Sequence, residues 1–234
     1  MQGVVPAAAE GTRLRPLTAD RPKGLVEVAG RPLLTHCFDS LLDVGVDGLV
    51  VVVGYRKAEI IDYYGDAFWE VPITYVHQRE QRGLGHALLQ AEDEVDDAFV
   101  QLNGDNVFCA NIDDAVAHQR DPEVDAVLLA EEVPEETART TGVLDTDGRR
   151  VTGMVEKPDD PPSTLVSAGC NVLPPEVFDA LHDVEPSNRG EYELSDAIDR
   201  LVWDGAHVEA VLIKGWRVNV NEPADVEAVE RELD

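Results

Sequence analysis

The chain has 234 residues, of which 44% are hydrophobic and 28% are charged, a balance typical of globular proteins rather than disordered ones. Acidic residues number 47 against 19 lysines and arginines, so the net charge is −28. Nucleic acid and anionic membranes are therefore poor partners, because both carry negative charge themselves. No apolar run reaches the roughly 18 residues that a membrane-spanning helix needs, and the first residues do not resemble an export signal.

The cysteine and lysine counts bear on the cellular setting. Cys37, Cys109 and Cys170 are far apart and odd in number, so they match neither a disulfide framework nor a zinc site. This pattern favours a reducing, cytoplasmic setting. Only four of the 19 basic residues are lysines. An acid-rich, lysine-poor composition resembles that of halophile proteins, in which salt screens the repulsion between like charges; an acidic protein from another source is the alternative.

Strand-like and helix-like segments alternate along the chain. Apolar runs typical of buried strands lie at residues 3–8, 48–53, 99–102 and 124–129, with further candidates at 73–76 and 208–213. Apolar stripes at helical spacing lie within residues 34–42, 194–202 and 226–233. Asn221 is a candidate N-cap of the last helix, and residues 145–148 (DTDG) are typical of a hairpin turn. The alternation predicts an α/β fold with a mostly parallel sheet covered on both faces. Ligands of such sheets bind beyond the carboxyl ends of the strands.

A basic loop follows the first predicted strand. Residues 11–23 (GTRLRPLTADRPK) contain four basic side chains and one acidic side chain on an otherwise acidic background. Arginine forks and a lysine suit a polyphosphate, and the small residues before the loop allow backbone N–H groups to approach it closely. The alternative is a surface loop that pairs with nearby acids. The loop matches neither a P-loop nor a dinucleotide-binding fingerprint.

Residues 7–34 (AAAEGTRLRPLTADRPKGLVEVAGRPLL) resemble the N-terminal signature of the sugar-1-phosphate nucleotidyltransferases, or NDP-sugar pyrophosphorylases. The resemblance implies that Arg13 and Lys23 are catalytic residues. It implies a nucleotide-binding role for Ala8, Ala9, Gly11 and Thr12. Ala9 departs from the family pattern, which has a glycine there, and adds a methyl group beside the nucleotide.

Two further segments resemble the family's base-binding and metal-binding motifs. In residues 77–91 (HQREQRGLGHALLQA), Gln78 can offer an amide to a base edge and Gly83 can offer bare backbone. Asp105, in LNGDNVF, follows a predicted strand and suits Mg²⁺, which prefers oxygen ligands. The family's second metal ligand is an aspartate, and Asn219 stands in its place. An amide oxygen can bind Mg²⁺ without contributing charge, so weaker metal affinity is expected.

The remaining motifs of the resemblance concern the sugar phosphate. VEKP (residues 155–158) matches the family's E-K-P, which implies that Lys157 is a catalytic residue holding the attacking phosphate. A surface ion pair is the alternative for this lysine and its neighbour Glu156. The residues implied to contact the sugar are Gly142, Glu156, Gly169, Asn171 and Glu191. Asn171 replaces a common tyrosine, and Thr141 replaces a common aromatic residue.

The resemblance spans most of the chain and implies a Rossmann-like, glycosyltransferase A-like α/β fold, with a mixed, mostly parallel sheet and helices on both faces. One nucleotidyltransferase domain over residues 1–234 is expected, without a C-terminal β-helix domain. The implied partners are a nucleoside triphosphate (UTP or dTTP favoured) and a sugar 1-phosphate (glucose 1-phosphate favoured). The implied cofactor is Mg²⁺, and the products are an NDP-sugar and pyrophosphate.

Several alternatives stay open at this point. One is a guanylyl- or cytidylyltransferase for another sugar or polyol phosphate. Another is a non-catalytic regulatory subunit that binds sugar nucleotide, since Ala9 and Asn219 both depart from the family pattern. The oligomeric state is undetermined, and a homo-oligomer is one alternative.

Overall fold

The computed structural model of the protein describes residues 1–233. The strands are, in chain order, β1 (Gln2–Ala7), β2 (Glu27–Val28), β3 (Arg31–Pro32), β4 (Gly48–Val53), β5 (Ala67–Phe68), β6 (Val71–His77), β7 (Phe99–Leu102), β8 (Asn106–Ala110), β9 (Ala126–Glu132), β10 (Gly142–Asp147), β11 (Arg150–Glu156), β12 (Leu165–Leu173), β13 (Val208–Leu212) and β14 (Gly215–Asn219).

Helices lie between most of these strands. They are α1 (Leu33–Asp43), α2 (Lys57–Tyr64), α3 (Leu84–Leu89), α4 (Ile112–Gln119), α5 (Glu135–Ala138), α6 (Glu176–Asp183), α7 (Leu194–Trp203) and α8 (Pro223–Leu233), with short 3₁₀ turns at Thr12–Leu14, Lys23–Leu25 and Glu92–Glu94. Within residues 1–233, no helix is both long enough and apolar enough to cross a membrane.

In the described part of the chain, ten strands form one sheet in the order β10-β11-β13-β9-β12-β7-β1-β4-β6-β5. The neighbours β7, β1, β4 and β6 run parallel, and so do β9 and β13. Strand β12 runs antiparallel between β7 and β9, and β10 and β11 form an antiparallel hairpin. Strands β8 and β14 pair with each other outside this sheet. The predicted α/β class with a mixed sheet is confirmed.

Antiparallel pairing is more extensive than the prediction of a mostly parallel sheet implies, because five of the nine neighbouring strand pairs in the ten-stranded sheet of residues 1–233 are antiparallel. Strands β10 and β11 were not among the predicted strands, because each has both buried and exposed positions and so lacks a continuous apolar run. The hairpin predicted around residues 145–148 is present, but its turn lies at Gly148 and Arg149, since residues 145–147 belong to β10. Asp147 is opposite Arg150, and Gly148 has φ 64°. The positive φ of Gly148 suits a tight hairpin turn.

Alternate residues of the central strands face opposite layers of helices, as a period of two requires. Val50 and Val52 of β4 belong to the apolar cluster that includes buried residues of α3, α6 and α7. Val51 and Val53 belong to the cluster that includes buried residues of α1, α2 and α4. The predicted covering of both faces of the sheet is therefore present, and β4 is buried on both sides.

The parallel strands end together at one edge of the sheet. Ala7 of β1 is opposite Val53 of β4, and Val53 is opposite His77 of β6. The segment after β7 joins this edge, because the Gly104 N–H donates to the carbonyl oxygen of Pro6 at 3.1 Å. The four segments that follow these strands are thus brought side by side, where ligands of parallel sheets bind.

Phe38 of α1 tests the contribution of the helix layer to stability. Its ring is fully buried and makes edge contacts with Tyr64 (centroids 4.9 Å apart) and Phe68 (5.3 Å). Phe38→Ala should lower the free energy of unfolding by about 3–5 kcal/mol, because the ring leaves a cavity that the helix layer cannot fill. The measurement is urea unfolding in molar KCl. Trp203→Ala is the control, since Trp203 is 84% exposed and its loss should change stability by no more than about 0.5 kcal/mol. Equal unfolding midpoints for the two variants would contradict this assignment.

Candidate active site

Two adjoining cavities open at the carboxyl edge of the parallel strands. The first lies against the ends of β1 and β6 and has a volume of about 360 Å³; we call it the strand-edge cavity. The second extends over the β10–β11 hairpin and has a volume of about 1100 Å³; we call it the hairpin cavity. The two cavities share the lining residues Leu84, Asn103, Asp105 and Glu191. A ligand with two ends could occupy both cavities across this shared wall.

Most of the predicted site residues line one of these cavities. The strand-edge cavity is lined by Ala8, Ala9, Lys23, Gln78, Gly83, Asp105 and Glu191. The hairpin cavity is lined by Arg13, Asp105, Gly142, Glu156, Lys157, Gly169, Asn171, Glu191 and Asn219. The predicted nucleotide residues thus gather mainly in the first cavity and the predicted sugar residues in the second. Gly11 and Thr12 line neither cavity.

Gly11 shapes the basic loop around Lys23. Its φ is 70°, and a Cβ atom at this position would lie 2.9 Å from Cβ of Lys23. Its carbonyl oxygen accepts from the Thr18 hydroxyl (2.9 Å) and the Leu14 amide (3.0 Å). Glycine suits the site because a side chain would be strained and would displace the lysine. The predicted contacts of Gly11 and of the exposed Thr12 with a nucleotide stay predictions.

The buried side chain of Lys23 connects three segments of the chain. Its Nζ atom donates to Oδ2 of Asp105 (2.9 Å) and to Oδ1 of Asn221 (3.0 Å). Nη2 of Arg13 donates to the same oxygen of Asn221 at 3.0 Å. The lysine side chain is 8% exposed and that of Asp105 is 30% exposed. A buried ammonium group needs such partners, because its charge is otherwise costly to desolvate.

The other basic residues of the loop divide into two kinds. Arg15 pairs with Glu10 (2.8 Å) and Arg21 pairs with Asp20 (3.4 Å). Arg13 makes no ion pair within residues 1–233, and its hydrogen-bond partner there is the neutral amide of Asn221. The alternative of a loop that pairs with nearby acids therefore describes part of this segment but not Arg13. An exposed guanidinium without a carboxylate partner is suited to an anionic ligand.

Asn221 does not cap helix α8 with its side chain, contrary to the sequence prediction. The carboxylate of Asp225 instead accepts from the backbone N–H groups of Asn221 (2.8 Å) and Glu222 (2.7 Å). The side-chain oxygen of Asn221 is taken by the two cationic donors of the basic loop, and hydrogen bonds to charged groups are stronger than neutral ones.

Asp105 and Asn219, the predicted metal ligands, lie close together. The carbonyl oxygen of Asp105 accepts from the amide of Val220 at 2.8 Å, and Asn219 is paired with Asn106 across β14 and β8. Oδ1 of Asn219 accepts from Nδ2 of Asn221 at 2.7 Å. Within the described residues, no three His, Cys, Asp or Glu side chains gather in a metal-binding group. The donor set of one carboxylate and one amide suits a hard cation that takes its other ligands from water and substrate phosphate.

Gln78 is buried at the end of β6 and is held on two sides. Its Nε2 atom donates to the carbonyl oxygen of Gly83 (3.2 Å) and to Nδ1 of His86 (3.0 Å). Gly83 has φ 97°, and a Cβ atom there would lie 2.7 Å from the carbonyl oxygen of Tyr192. Glycine is therefore required at this turn, which brings residues 82–85 against residues 191–192 and places Glu191 in the wall of both cavities.

The β10–β11 hairpin brings two predicted motifs together. Gly142 is opposite Glu156, and the amide of Lys157 donates to the carbonyl oxygen of Thr141 at 2.9 Å. The carboxylate of Glu156 pairs with Nζ of Lys157 (3.1 Å) and accepts from the hydroxyl of Ser195 (3.1 Å). Lys157 has φ 48°, an uncommon conformation for a non-glycine residue and one that occurs preferentially at functional sites.

Gly169 interrupts β12 and lies against the segment after β7. The pairing of β12 with β9 shifts register between Ser167 and Asn171. Gly169 has φ 75°, and a Cβ atom there would lie 2.7 Å from the side-chain nitrogens of both Asn103 and Asn106. The bulge therefore lets the asparagine side chains approach the strand backbone, which only glycine allows here.

Asn171 belongs to a chain of buried amides beneath the hairpin cavity. Its Nδ2 atom donates to Oε1 of Gln101 (2.6 Å), and Nε2 of Gln101 donates to Oδ1 of Asn103 (2.7 Å). Two atoms of this region, Oδ1 of Asn171 and Nδ2 of Asn106, are enclosed and have no hydrogen-bond partner within residues 1–233. Asn171 lines the hairpin cavity and Asn106 lines neither cavity, so these two atoms are enclosed, unpaired polar groups beneath the site.

Sequence reasoning missed several residues of the site. These are Asn221, which joins Arg13 and Lys23; His86, which contacts Gln78; Ser195, which orients Glu156; and Gln81, whose Nε2 donates to the carbonyl oxygen of Ala8 at 3.0 Å. A polar residue on a helix or loop carries no local signal of its partner. Asn221 is the one with a usable clue, because it lies two residues after the predicted ligand Asn219.

The chain is similar in sequence to known proteins. Residues 2–218 match the family model described as nucleotidyl transferase. The chain is 53% identical over 234 residues to the UTP–glucose-1-phosphate uridylyltransferase AglF of Haloferax volcanii, a match covering 100% of this chain and 96% of that protein. It is 36% identical to a glucose-1-phosphate thymidylyltransferase of Streptomyces antibioticus, over 99% of this chain and 65% of that protein.

A solved structure extends the comparison to the fold. The structure of a UDP-glucose pyrophosphorylase in complex with UDP-glucose superimposes with a TM-score of 0.91, covering 99% of this chain and 97% of that chain at 22% identity. At 22% identity, this similarity shows a shared fold and nothing more. Together with the family match over residues 2–218, it leads to one conclusion: the chain belongs to the nucleotidyl transferase family.

Proposed function

We propose that the protein transfers a uridylyl or thymidylyl group from UTP or dTTP to glucose 1-phosphate, releasing pyrophosphate and an NDP-glucose. The observation that carries this proposal is the position of three charged residues: Lys23 lines the strand-edge cavity, Arg13 lines the hairpin cavity, and Asp105 lies in the wall that the two cavities share. A nucleoside in the first cavity and a sugar in the second would place their phosphates beside these charges. The names of the Haloferax volcanii and Streptomyces antibioticus relatives, a glucose-1-phosphate uridylyltransferase and a glucose-1-phosphate thymidylyltransferase, support these substrates.

The strand-edge cavity offers a base one acceptor and one donor. Both hydrogen bonds of the Gln78 side chain are made by Nε2, and within residues 1–233 its Oε1 accepts none. The N–H of Gly83 has no acceptor among the same residues. Uracil and thymine carry an N3–H beside a carbonyl oxygen and complement this pair, whereas cytosine presents an unprotonated N3. Guanine has a similar pair on a larger ring, so GTP is a necessary competitor in any test.

The reaction needs no protein nucleophile. An oxygen of the sugar phosphate forms a bond to the α-phosphorus while the bond to the bridging oxygen of the β-phosphate breaks, and pyrophosphate leaves with that electron pair. We assign Arg13 to the charge that develops on the transferred and leaving groups, Lys23 to the α-phosphate, and Lys157 to the attacking phosphate. These roles are positioning and electrostatic stabilisation, which dominate phosphoryl-type transfer.

Asp105 and Asn219 would hold Mg²⁺, which when bound would neutralise phosphate charge. Asp105 is paired with Lys23 at 2.9 Å. Phosphate oxygens entering the cavity would compete for this ammonium group and release the carboxylate for the cation. Asp105 therefore has two successive partners, which links the metal site to occupation by the nucleotide.

The hairpin cavity would hold the sugar. Glu156 is oriented by Ser195 and Lys157, so its carboxylate can accept hydrogen bonds from hydroxyl groups. Gly142 keeps the space beside it open, since a Cβ atom there would lie 3.1 Å from Oε2 of Glu156. Glu191, Gly169 and Asn171 complete the wall.

The large excess of acidic residues further supports the proposal that the protein functions in a salt-rich cytoplasm, where screening weakens the repulsion between its surface and anionic substrates.

A substrate panel tests the function itself. Pyrophosphate release should occur with UTP or dTTP and glucose 1-phosphate, in molar KCl with Mg²⁺, and should be much slower with CTP, GTP and ATP. Other sugar 1-phosphates complete the panel. Release with CTP or GTP alone would favour the alternative cytidylyl- or guanylyltransferase. Nucleotide binding without release for any pair would favour a regulatory subunit.

Replacing Arg13 tests the role of the unpaired guanidinium. Arg13→Ala should lower turnover by about 10²–10³-fold, because an electrostatic contact to the reacting phosphate is lost. The fold should be unchanged, since Lys23 still occupies the amide oxygen of Asn221. Arg21→Ala is the matched control: Arg21 lies in the same loop, pairs with Asp20 and lines neither cavity. Equal rates for the two variants, measured by pyrophosphate release, would remove Arg13 from the mechanism.

Asn219→Asp tests the proposed metal site. The added carboxylate should lower the Mg²⁺ concentration for half-maximal rate severalfold, because ligand charge strengthens binding of a hard cation. Asn188→Asp adds the same charge at an exposed position outside both cavities and should leave the Mg²⁺ dependence unchanged. A titration of rate against Mg²⁺ that is identical for wild type and Asn219→Asp would exclude residue 219 as a ligand.

A further inference from the structure

The amide of Gln78 can adopt only one orientation in the strand-edge cavity. The atom facing the carbonyl oxygen of Gly83 at 3.2 Å must be the amide nitrogen, because a peptide carbonyl can only accept. The same nitrogen lies 3.0 Å from Nδ1 of His86, so its second hydrogen points to the imidazole. Nδ1 must then be the acceptor, and the proton of the neutral ring is on Nε2.

This arrangement leaves one atom of the side chain for a ligand. Gln78 is only 4% exposed and lines the strand-edge cavity. Its Oε1 accepts no hydrogen bond within residues 1–233, and it is not among the enclosed unpaired atoms, which are Nδ2 of Asn106 and Oδ1 of Asn171. The oxygen is therefore accessible from the cavity as an acceptor.

We infer that His86 is a positioning residue that sets the base preference of the enzyme through Gln78, and that this preference depends on the protonation state of His86. The inference rests on the proposed nucleotidyl transfer and deepens it. With Nδ1 as an acceptor, Gln78 presents Oε1 and selects bases that carry a ring N–H. With Nδ1 of His86 protonated, the N–H of the imidazolium and the N–H groups of Nε2 of Gln78 would both be donors, and no acceptor would remain at this contact.

Protonation cannot be relieved by a simple flip of the amide. A flipped amide would satisfy the imidazolium with Oε1, but it would then set that oxygen against the carbonyl oxygen of Gly83. Either orientation leaves one unfavourable contact, and a flipped amide presents Nε2 to the cavity. An N–H donor there suits cytosine, whose N3 is an acceptor, and opposes uracil and thymine.

The surroundings of His86 keep the ring neutral near neutral pH. Its pKa is lowered from the usual 6.5 by burial first and by the positive charge of Arg82 second, while Glu80 opposes the shift. The uncharged ring of Tyr192 lies 6.1 Å away, and the guanidinium of Arg82 stacks on it at 4.8 Å. Because the pKa is lowered, the acceptor form is present above it and is lost as the pH falls through it.

The test compares the affinities for UTP and CTP across pH. Dissociation constants are measured by calorimetry in molar KCl, from about pH 8 down to about pH 5, across the ordinary range of histidine titration. The ratio of the two constants cancels the titration of the triphosphate, which both ligands share. In wild type, UTP should bind more tightly than CTP at high pH, and this preference should shrink below about pH 6.5.

Two substitutions of His86 separate positioning from packing. His86→Asn keeps an acceptor, because its Oδ1 is bonded to Cγ as Nδ1 of histidine is, but the amide does not titrate. The preference of this variant for UTP over CTP should therefore stay near the high-pH value of wild type at every pH. His86→Leu removes the acceptor and should lose roughly up to tenfold of the preference, the worth of one hydrogen bond, at every pH. His182→Asn is the control, because His182 is exposed and pairs with Glu92 outside both cavities; its pH profile should follow wild type.

Two results would overturn the inference while the proposed function stands. They are a preference for UTP in His86→Leu equal to that of wild type, or a pH dependence in His86→Asn equal to that of wild type. If His86→Leu does not fold, the comparison of the His86→Asn and wild-type profiles still decides. Failure of the proposed function has a separate signature, which is wild-type protein at high pH that releases no pyrophosphate from UTP or dTTP; that result would overturn both.

Discussion

The buried ammonium group of Lys23 is the contact on which the site depends. A buried charge persists only with partners, and the partners of Lys23 come from far along the chain. Asp105 follows the central strand β7, and Asn221 follows β14. The lysine therefore draws the basic loop, the sheet edge and the segment before the last helix together. Arg13 reaches the same amide oxygen of Asn221, so the two cations of the loop converge on one point between the cavities.

The antiparallel part of the sheet provides walls for a second cavity, which the parallel strands alone do not form. Parallel strands end at one edge and place their following loops in a row. The β10–β11 hairpin and β12 instead contribute Gly142, Glu156 and Gly169 to the wall of a second cavity beside that edge. Backbone conformations uncommon in ordinary strands occur there: φ is 48° at Lys157 and 75° at Gly169. Such conformations persist where the surroundings hold them, and here they turn Lys157 toward Thr141 and open β12 to Asn103.

Charge is distributed unevenly between the surface of the molecule and the candidate site. With a net charge of −28, the surface as a whole repels phosphates, and this repulsion acts over about 10 Å at 0.1 M salt but over about 3 Å at 1 M. Inside the site the balance is different. Arg15 and Arg21 pair with acids, whereas Arg13 has no carboxylate partner within residues 1–233. In concentrated salt, the local charge of Arg13 would therefore count for more than the distant acids.

The amino-acid sequence by itself determined the fold class and the strands β1, β4 and β7 to within one residue, and it predicted a set of site residues most of which line the two cavities. Continuous apolar runs and a motif of nearly thirty residues are local signals, and local signals can be read along a chain. The tertiary structure alone decided the antiparallel hairpin strands, the capping of α8 by Asp225 rather than Asn221, and the contact of His86 with Gln78. The hairpin strands were missed because half-exposed strands lack a continuous apolar run. The polar contacts were missed because each side chain bonds to the strongest donor or acceptor nearby, and that partner comes from a distant segment of the chain.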